Sequence, residues 1–233
     1  MEDILFTHIG AINADKSLFK VKEMQKQVQL GLQTFCSAPN TLSAPHLLTI
    51  TEVPSETQAR KLAQIACDAL NIEYHCDYKQ VQKADYTVLL WDANRFTLSA
   101  NQPKTHSTRF LGASLDCKLT QRTHLCAAVH RERGQNPRTF DAIHRSFDDF
   151  EHDHVHIFGD MNAKSSLLEQ NFESNEYIVG LSEGEVTTQA GRQCDNVIWD
   201  SDMSVDSADV LCESFCRLSH YPVQSFAYMD DLF

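Results

Sequence analysis

Three short stretches carry groups that could do hydrolytic chemistry: Phe158-Gly159-Asp160-Met161-Asn162, Cys194-Asp195-Asn196-Val197-Ile198-Trp199 and Leu218-Ser219-His220-Tyr221-Pro222-Val223. Each sets polar side chains at the end of an apolar, strand-like run. Hydrolysis of a phosphodiester needs such a set: an acid and an amide to hold a nucleophile, and a carboxylate to orient a histidine.

Taken singly, each residue has an ordinary reading. Gly-Asp-x-Asn suits a tight turn, Asp195 could close a strand, His220 could be a half-buried histidine, and Glu52 could be an exposed acid at a helix entry. Their order says more. Asn13, Glu52, His130, Asp160 with Asn162, Asp195 and His220 follow one another along the chain, each at or near the end of a strand-like run.

This order resembles the endonuclease/exonuclease/phosphatase superfamily, whose members carry an Asn on the first strand, a metal-binding Glu, a mid-chain His or Tyr, a GDxN box, an Asp-bearing strand and a closing SDHxPV box. The resemblance runs from about Ile4 to Ala227. Gly159-Asp160-Met161-Asn162-Ala163 is similar to the GDFNA box of the deoxyribonuclease I type, and Arg109 resembles an active-site arginine of those nucleases. The Cys194 to Trp199 stretch is also similar to the CDRxLW box of inositol polyphosphate 5-phosphatases, but Ala163-Lys164 stands where that group has Tyr-Arg.

The resemblance implies an α/β, deoxyribonuclease I-like four-layer sandwich: two mixed β-sheets flanked by helices, with residues 1–233 as a single domain. It implies a phosphodiesterase dependent on Mg²⁺ or Mn²⁺, foremost a nuclease acting on DNA or RNA. The alternatives are a phosphoinositide or nucleotide phosphatase, or an impaired member serving as a protein-binding module. Glu52 and Asn13 would hold the ion, and Asp160 with Asn162 would position the attacking water. Asp195 would orient His220, His130 and His220 would supply acid–base and phosphate contacts, and Arg109 would hold a phosphate oxygen. Ser219 departs from the pattern, standing where the family has a metal-supporting Asp.

The elements that must position these groups read as follows. A first strand from Ile4 ends at Asn13, and a helix is expected from about Ser17 to Phe35. A strand from Pro45 delivers Glu52, and a helix begins with Ser55 as N-cap and Gln58 as its capping-box partner. Strands are expected at Tyr86–Trp91, Leu111–Leu115, Leu125–Val129 and His154–Phe158, with a helix over about 139–150. The short connections favour antiparallel pairs and a mixed sheet over a doubly wound parallel one.

The 233 residues include 32 acidic and 20 basic ones, a net charge of −12, which opposes bulk coating of a phosphate backbone. No apolar run reaches the ~20 residues of a bilayer span, and the acidic start lacks the cations of an export signal, so a cytoplasmic protein is expected. The eight cysteines form no CxxC pair, which points to reduced thiols, and Cys212 and Cys216 at i, i+4 read as one helix face. His152, His154 and His156 alternate as strand-edge residues rather than as a chelate. Asp200, Asp202, Asp206 and Asp209 read as a solvated loop, lacking the Gly and closing Glu of a calcium loop.

Overall fold

The computed structural model describes residues 6–37, 43–81, 85–104, 109–131, 138–148, 150–172, 177–211 and 217–229. Cys212 and Cys216 lie outside them, as does most of the cationic loop after His130.

Two six-stranded sheets face each other. The first has the order β11-β12-β1-β2-β4-β3, built from β1 (Phe6–Asn13), β2 (Leu47–Val53), β3 (Tyr74–Val81), β4 (Asp85–Asp92), β11 (Met203–Val210) and β12 (Val223–Met229). The second has the order β5-β6-β7-β8-β10-β9, built from β5 (Phe96–Leu98), β6 (Phe110–Cys117), β7 (Thr123–His130), β8 (His154–Asp160), β9 (Tyr177–Val179) and β10 (Asp195–Asp200). Both sheets are mixed: β1 with β2 and β7 with β8 run parallel, and the other pairs run antiparallel.

Side-chain alternation divides the apolar residues into three cores. Ile9, Leu47, Trp91, Phe158, Val197 and Trp199 point between the sheets. Leu48, Ile50, Val88 and Leu90 point the other way and are covered by α1 (Val21–Ser37) and α2 (Glu56–Leu70). Leu125, Val155, Ile157 and Ile198 are covered by α3 (Arg138–Phe147) and α4 (Ser165–Phe172). Helix, sheet, sheet and helix make the four layers, and the indole N–H of Trp199 donates to the Ser225 hydroxyl across the central one at 3.1 Å.

The capped start of α2 forms as its residues dictate: the Ser55 hydroxyl accepts from the Gln58 amide at 3.3 Å. Two expectations need correction. The acidic stretch after Asp200 is no loop, because β11 pairs with β12 along its length and Ala208 and Val210 pack against the intersheet core. The helix after Asn13 begins at Val21 rather than Ser17, because Asp15 adopts a left-handed conformation (φ 51°) and residues 16–18 form a turn in which the Leu18 amide donates to the Asp15 carbonyl at 2.9 Å, leaving Leu18 exposed.

Candidate active site

The same alternation that builds the intersheet core builds the site. Asn13 is the last residue of β1, His130 of β7 and Asp160 of β8, while Asp195 is the first residue of the antiparallel β10. Each shares strand parity with an inward-pointing core residue, Ile9, Ala128, Phe158 and Val197 respectively. All four polar side chains therefore continue the intersheet layer at one pole. Register completes the convergence, since Asp160 is directly opposite both His130 and Asp195.

Glu52 has the wrong parity and reaches the site by another route. A bulge between Ile50 and Val53, with Glu52 itself at φ 54°, turns its side chain from the helix-covered face toward His130. Gly159 is equally constrained. It sits at φ 128°, and a Cβ there would meet the Val129 carbonyl at 2.4 Å, so only glycine lets β8 approach β7 closely enough to present Asp160.

The contacts are short and buried. His220 Nδ1 and Asp195 Oδ2 are 2.8 Å apart. Asp160 Oδ2 accepts from the Asn13 amide at 3.3 Å, and Asp160 Oδ1 accepts from the Asn162 backbone N–H at 2.9 Å. The Asn162 side chain donates to the Arg131 carbonyl at 2.7 Å, so it anchors the loop after β8. His130 Nε2 lies 3.7 Å from Glu52 and 3.9 Å from Asp160. Arg109 precedes β6, and its carbonyl accepts from the His130 amide at 3.2 Å.

Burial and charge push the titratable groups apart. Burial, and then the Asp195 carboxylate, hold the Asp160 carboxyl well above its usual range. Burial alone would lower His220, but the Asp195 carboxylate beside it, with Asp160 and Asp15 behind, raises it to about 10. His130 goes the other way, to about 4, through burial and the neighbouring His220, with Lys16 and Arg109 adding to the effect. Burial raises Glu52 as well.

Two groups bring ligand atoms within 4.8 Å of one another: Glu52, His130 and Asp160, and Asp160, Asp195 and His220. The donor set is dominated by carboxylate oxygen, and the buried acids lack enough opposite charge to be ionised together at no cost. That fits a hard divalent cation.

Asp15 belongs to this cluster although its place in the sequence did not single it out. It is buried, and its carboxylate accepts from both the backbone N–H and the hydroxyl of Ser219. An acid is thus present at the position where Ser219 removes one. The signal that could have found it is its spacing, two residues past Asn13, whose side-chain oxygen accepts from the Asp15 amide at 2.9 Å. Thr187 was also silent in the sequence; its hydroxyl accepts from the amides of Cys194 and Asp195 at 2.8 and 3.1 Å and fixes the start of β10. The three alternating histidines stay apart from the site, but the expected surface edge is corrected: His154 and His156 are buried on the central strand β8, His156 is 2.8 Å from His124 toward the opposite pole, and only His152 is exposed.

No protein-family model and no curated protein matches the chain. Solved structures do. An endonuclease/exonuclease/phosphatase family protein from Bacteroides thetaiotaomicron superposes with a TM-score of 0.70 at 10% identity, over 97% of this chain and 96% of its own. The chain carries the endonuclease/exonuclease/phosphatase fold. The same fold relates it to the human Nocturnin catalytic domain, solved with bound sulfate anion (TM-score 0.69, 18% identity, 97% and 96% covered). It also relates it to D. rerio TDP2 complexed with single strand DNA product (TM-score 0.70, 12% identity, 95% and 98% covered). Among the described residues, no helix is long and apolar enough to cross a membrane.

Proposed function

We propose that this chain is a divalent-metal-dependent phosphodiesterase acting on nucleic acid. The observation that carries the reading is the convergence of Glu52, Asp160 and the Asp195–His220 pair at one pole of the fold, with ligand atoms close enough to share an ion. The complex of D. rerio TDP2 with single strand DNA supports the choice of substrate.

Glu52, aided by Asn13, would hold Mg²⁺ or Mn²⁺, which would supply Lewis-acid stabilisation of charge on the scissile phosphate. The chain's own groups divide the proton work. Asp160, held by the Asn162 backbone N–H, would orient the attacking water and accept its proton as the new P–O bond forms. His220, kept cationic by Asp195, faces the phosphate and returns a proton to the leaving oxygen as the old P–O bond breaks. His130 stays neutral and donates or accepts a hydrogen bond at the phosphate, and Arg109 adds positive charge. Asp15 brings a carboxylate beside Ser219, which supports the enzymatic reading over the impaired-member one.

The test is hydrolysis of single-stranded DNA, RNA, bis(4-nitrophenyl) phosphate and a soluble inositol polyphosphate with Mg²⁺ or Mn²⁺, beside His220→Ala. Cleavage of a nucleic acid that the variant lacks is the expected result. Release of phosphate from the inositol substrate alone would move the chain to the phosphatase reading, and no turnover of any substrate would remove the enzymatic one.

A further inference from the structure

A cavity of about 400 Å³ opens beside the GDxN turn, between Asn162 to Lys164 and the segment 183–194 that leads into β10. This volume is within the range of small-ligand sites, about 300–1,000 Å³. Asn162 lines both the catalytic cluster and this cavity, and Cys194, beside Asp195, lies in its wall. A group held at the catalytic centre therefore lies next to this cavity.

The wall is built before any ligand arrives. Thr187 and Thr188 donate their amides to the Arg192 carbonyl at 3.0 Å each, and the Gly191 amide donates to the Thr188 carbonyl at 3.0 Å. The same segment is sewn to the histidine: Thr188 bridges His220, Gln189 donates its amide to the Ser219 carbonyl at 2.9 Å, and Tyr221 donates to the Thr187 carbonyl at 2.8 Å. Cavity and catalytic histidine share one frame.

Its rim is chemically mixed. Lys164 and Arg192 are exposed and have no ion-pair partner among the described residues. Glu183 and Glu185 face the same space, and Val186, 43% exposed, offers it an apolar side chain. Two cations against two acids leave the rim formally neutral. A densely phosphorylated small molecule would meet as much repulsion as attraction there, whereas one phosphate joined to an uncharged ring would pair with a cation and lie against Val186.

We infer that this cavity binds the nucleotide unit next to the scissile phosphate, with Lys164 and Arg192 reading its phosphate and Val186 its apolar face. The inference rests on the phosphodiesterase reading and names what that site prefers: a diester with a full nucleotide on one side rather than a polyphosphorylated headgroup. Lys164 and Arg192 are specificity residues and touch no reacting atom.

Binding tests this separately from turnover. Fluorescence anisotropy of a dye-labelled single-stranded DNA 8-mer, measured in Ca²⁺, should show Kd rising roughly 10-fold in the Lys164→Ala/Arg192→Ala double variant. Unlabelled dinucleotide should compete, and inositol hexakisphosphate should compete less well. In steady-state assays, KM for the oligonucleotide should rise in the double variant relative to KM for bis(4-nitrophenyl) phosphate. Arg192→Glu should deepen both effects without shifting the melting temperature. An unchanged Kd in the double variant, no binding by the wild-type protein, or stronger competition by the polyphosphate would overturn the assignment. Binding that follows this pattern without hydrolysis would leave the cavity assignment standing and sink the enzymatic reading instead.

Discussion

Ser219 donates both its backbone N–H and its hydroxyl to the carboxylate of Asp15, across 204 residues of chain. The acid that the SDHxPV pattern would place at Ser219 is thereby supplied from the other side of the contact. The effect of substitutions here follows from that exchange. Ser219→Asp puts two carboxylates face to face and should raise the Mg²⁺ concentration for half-maximal activity or lower the melting temperature. Asp15→Ser combined with Ser219→Asp should recover much of what either single change loses. Titrating Mg²⁺ on the four proteins checks this; additive losses in the double variant would show that the two positions are independent.

Asp15→Asn should also cost stability. The Asn side chain keeps an acceptor oxygen for one Ser219 donor and turns an amide toward the other. Leaving one partly buried donor unsatisfied costs about 1–3 kcal/mol, which chemical denaturation can resolve.

Asp195 and His220 are expected to act as one unit. A carboxylate that fixes the imidazole and keeps it charged has no purpose without the ring, and the ring without the carboxylate loses its raised proton affinity. Asp195→Ala and His220→Ala should each reduce hydrolysis by about two to four orders of magnitude, and the double variant should be little slower than either. Rate losses that multiply would separate the two residues.

Metal removal should silence the protein without unfolding it. The three cores contain none of the site carboxylates, so exhaustive EDTA treatment should abolish turnover while the circular dichroism spectrum persists. Glu52→Gln should reproduce the loss at subsaturating Mg²⁺. Full activity after chelation would exclude the metal-dependent reading.

Acid should weaken the fold before it reaches ordinary carboxylate titration. Burial pushes His8 down to about 4 and His124 to about 3; burial with the Arg95 charge takes His46 to about 2; and burial holds His156 well below the usual imidazole range. These rings stay neutral when folded but gain a proton when unfolded, so stability falls as pH drops below about 6.5 and continues to fall toward the folded values. Each contributes up to about 1.4 kcal/mol per pH unit in that window, with Asp160, Glu52 and Asp15 opposing them as acids whose raised proton affinity has the reverse sign. His220 works at the other end: its contribution is fully present below about 6.5 and is lost as pH rises through about 10. Urea midpoints measured from pH 7 to 5 should fall, and His124→Asn should flatten the slope.

Much of the site was legible because its groups terminate strands, and strand ends are marked by an apolar run meeting a polar residue. Asn13, His130, Asp160 and Asp195 follow that pattern, and alternation alone sends them inward. Glu52 was legible as a residue but not as a direction, since its side chain depends on a bulge that no local signal announces. Asp15 and Thr187 lie in polar turns and gain meaning only through partners far along the chain. Polar alternation likewise hid β3, whose outer face is exposed, and β11, whose acidic residues masked the apolar ones that pack inward.

The clasp between Asp15 and Ser219 also bears on when this pole of the fold is completed. During synthesis, β1 and Asn13 leave the ribosome long before Ser219 and His220, and β1 must wait for β12 to pair with its open edge. Such long-separation contacts form late and slowly. A nascent chain that stops short of residue 219 lacks both the partner of Asp15 and the ring that faces Asp195, so this pole of the fold is completed only once residues 219 and 220 have been made.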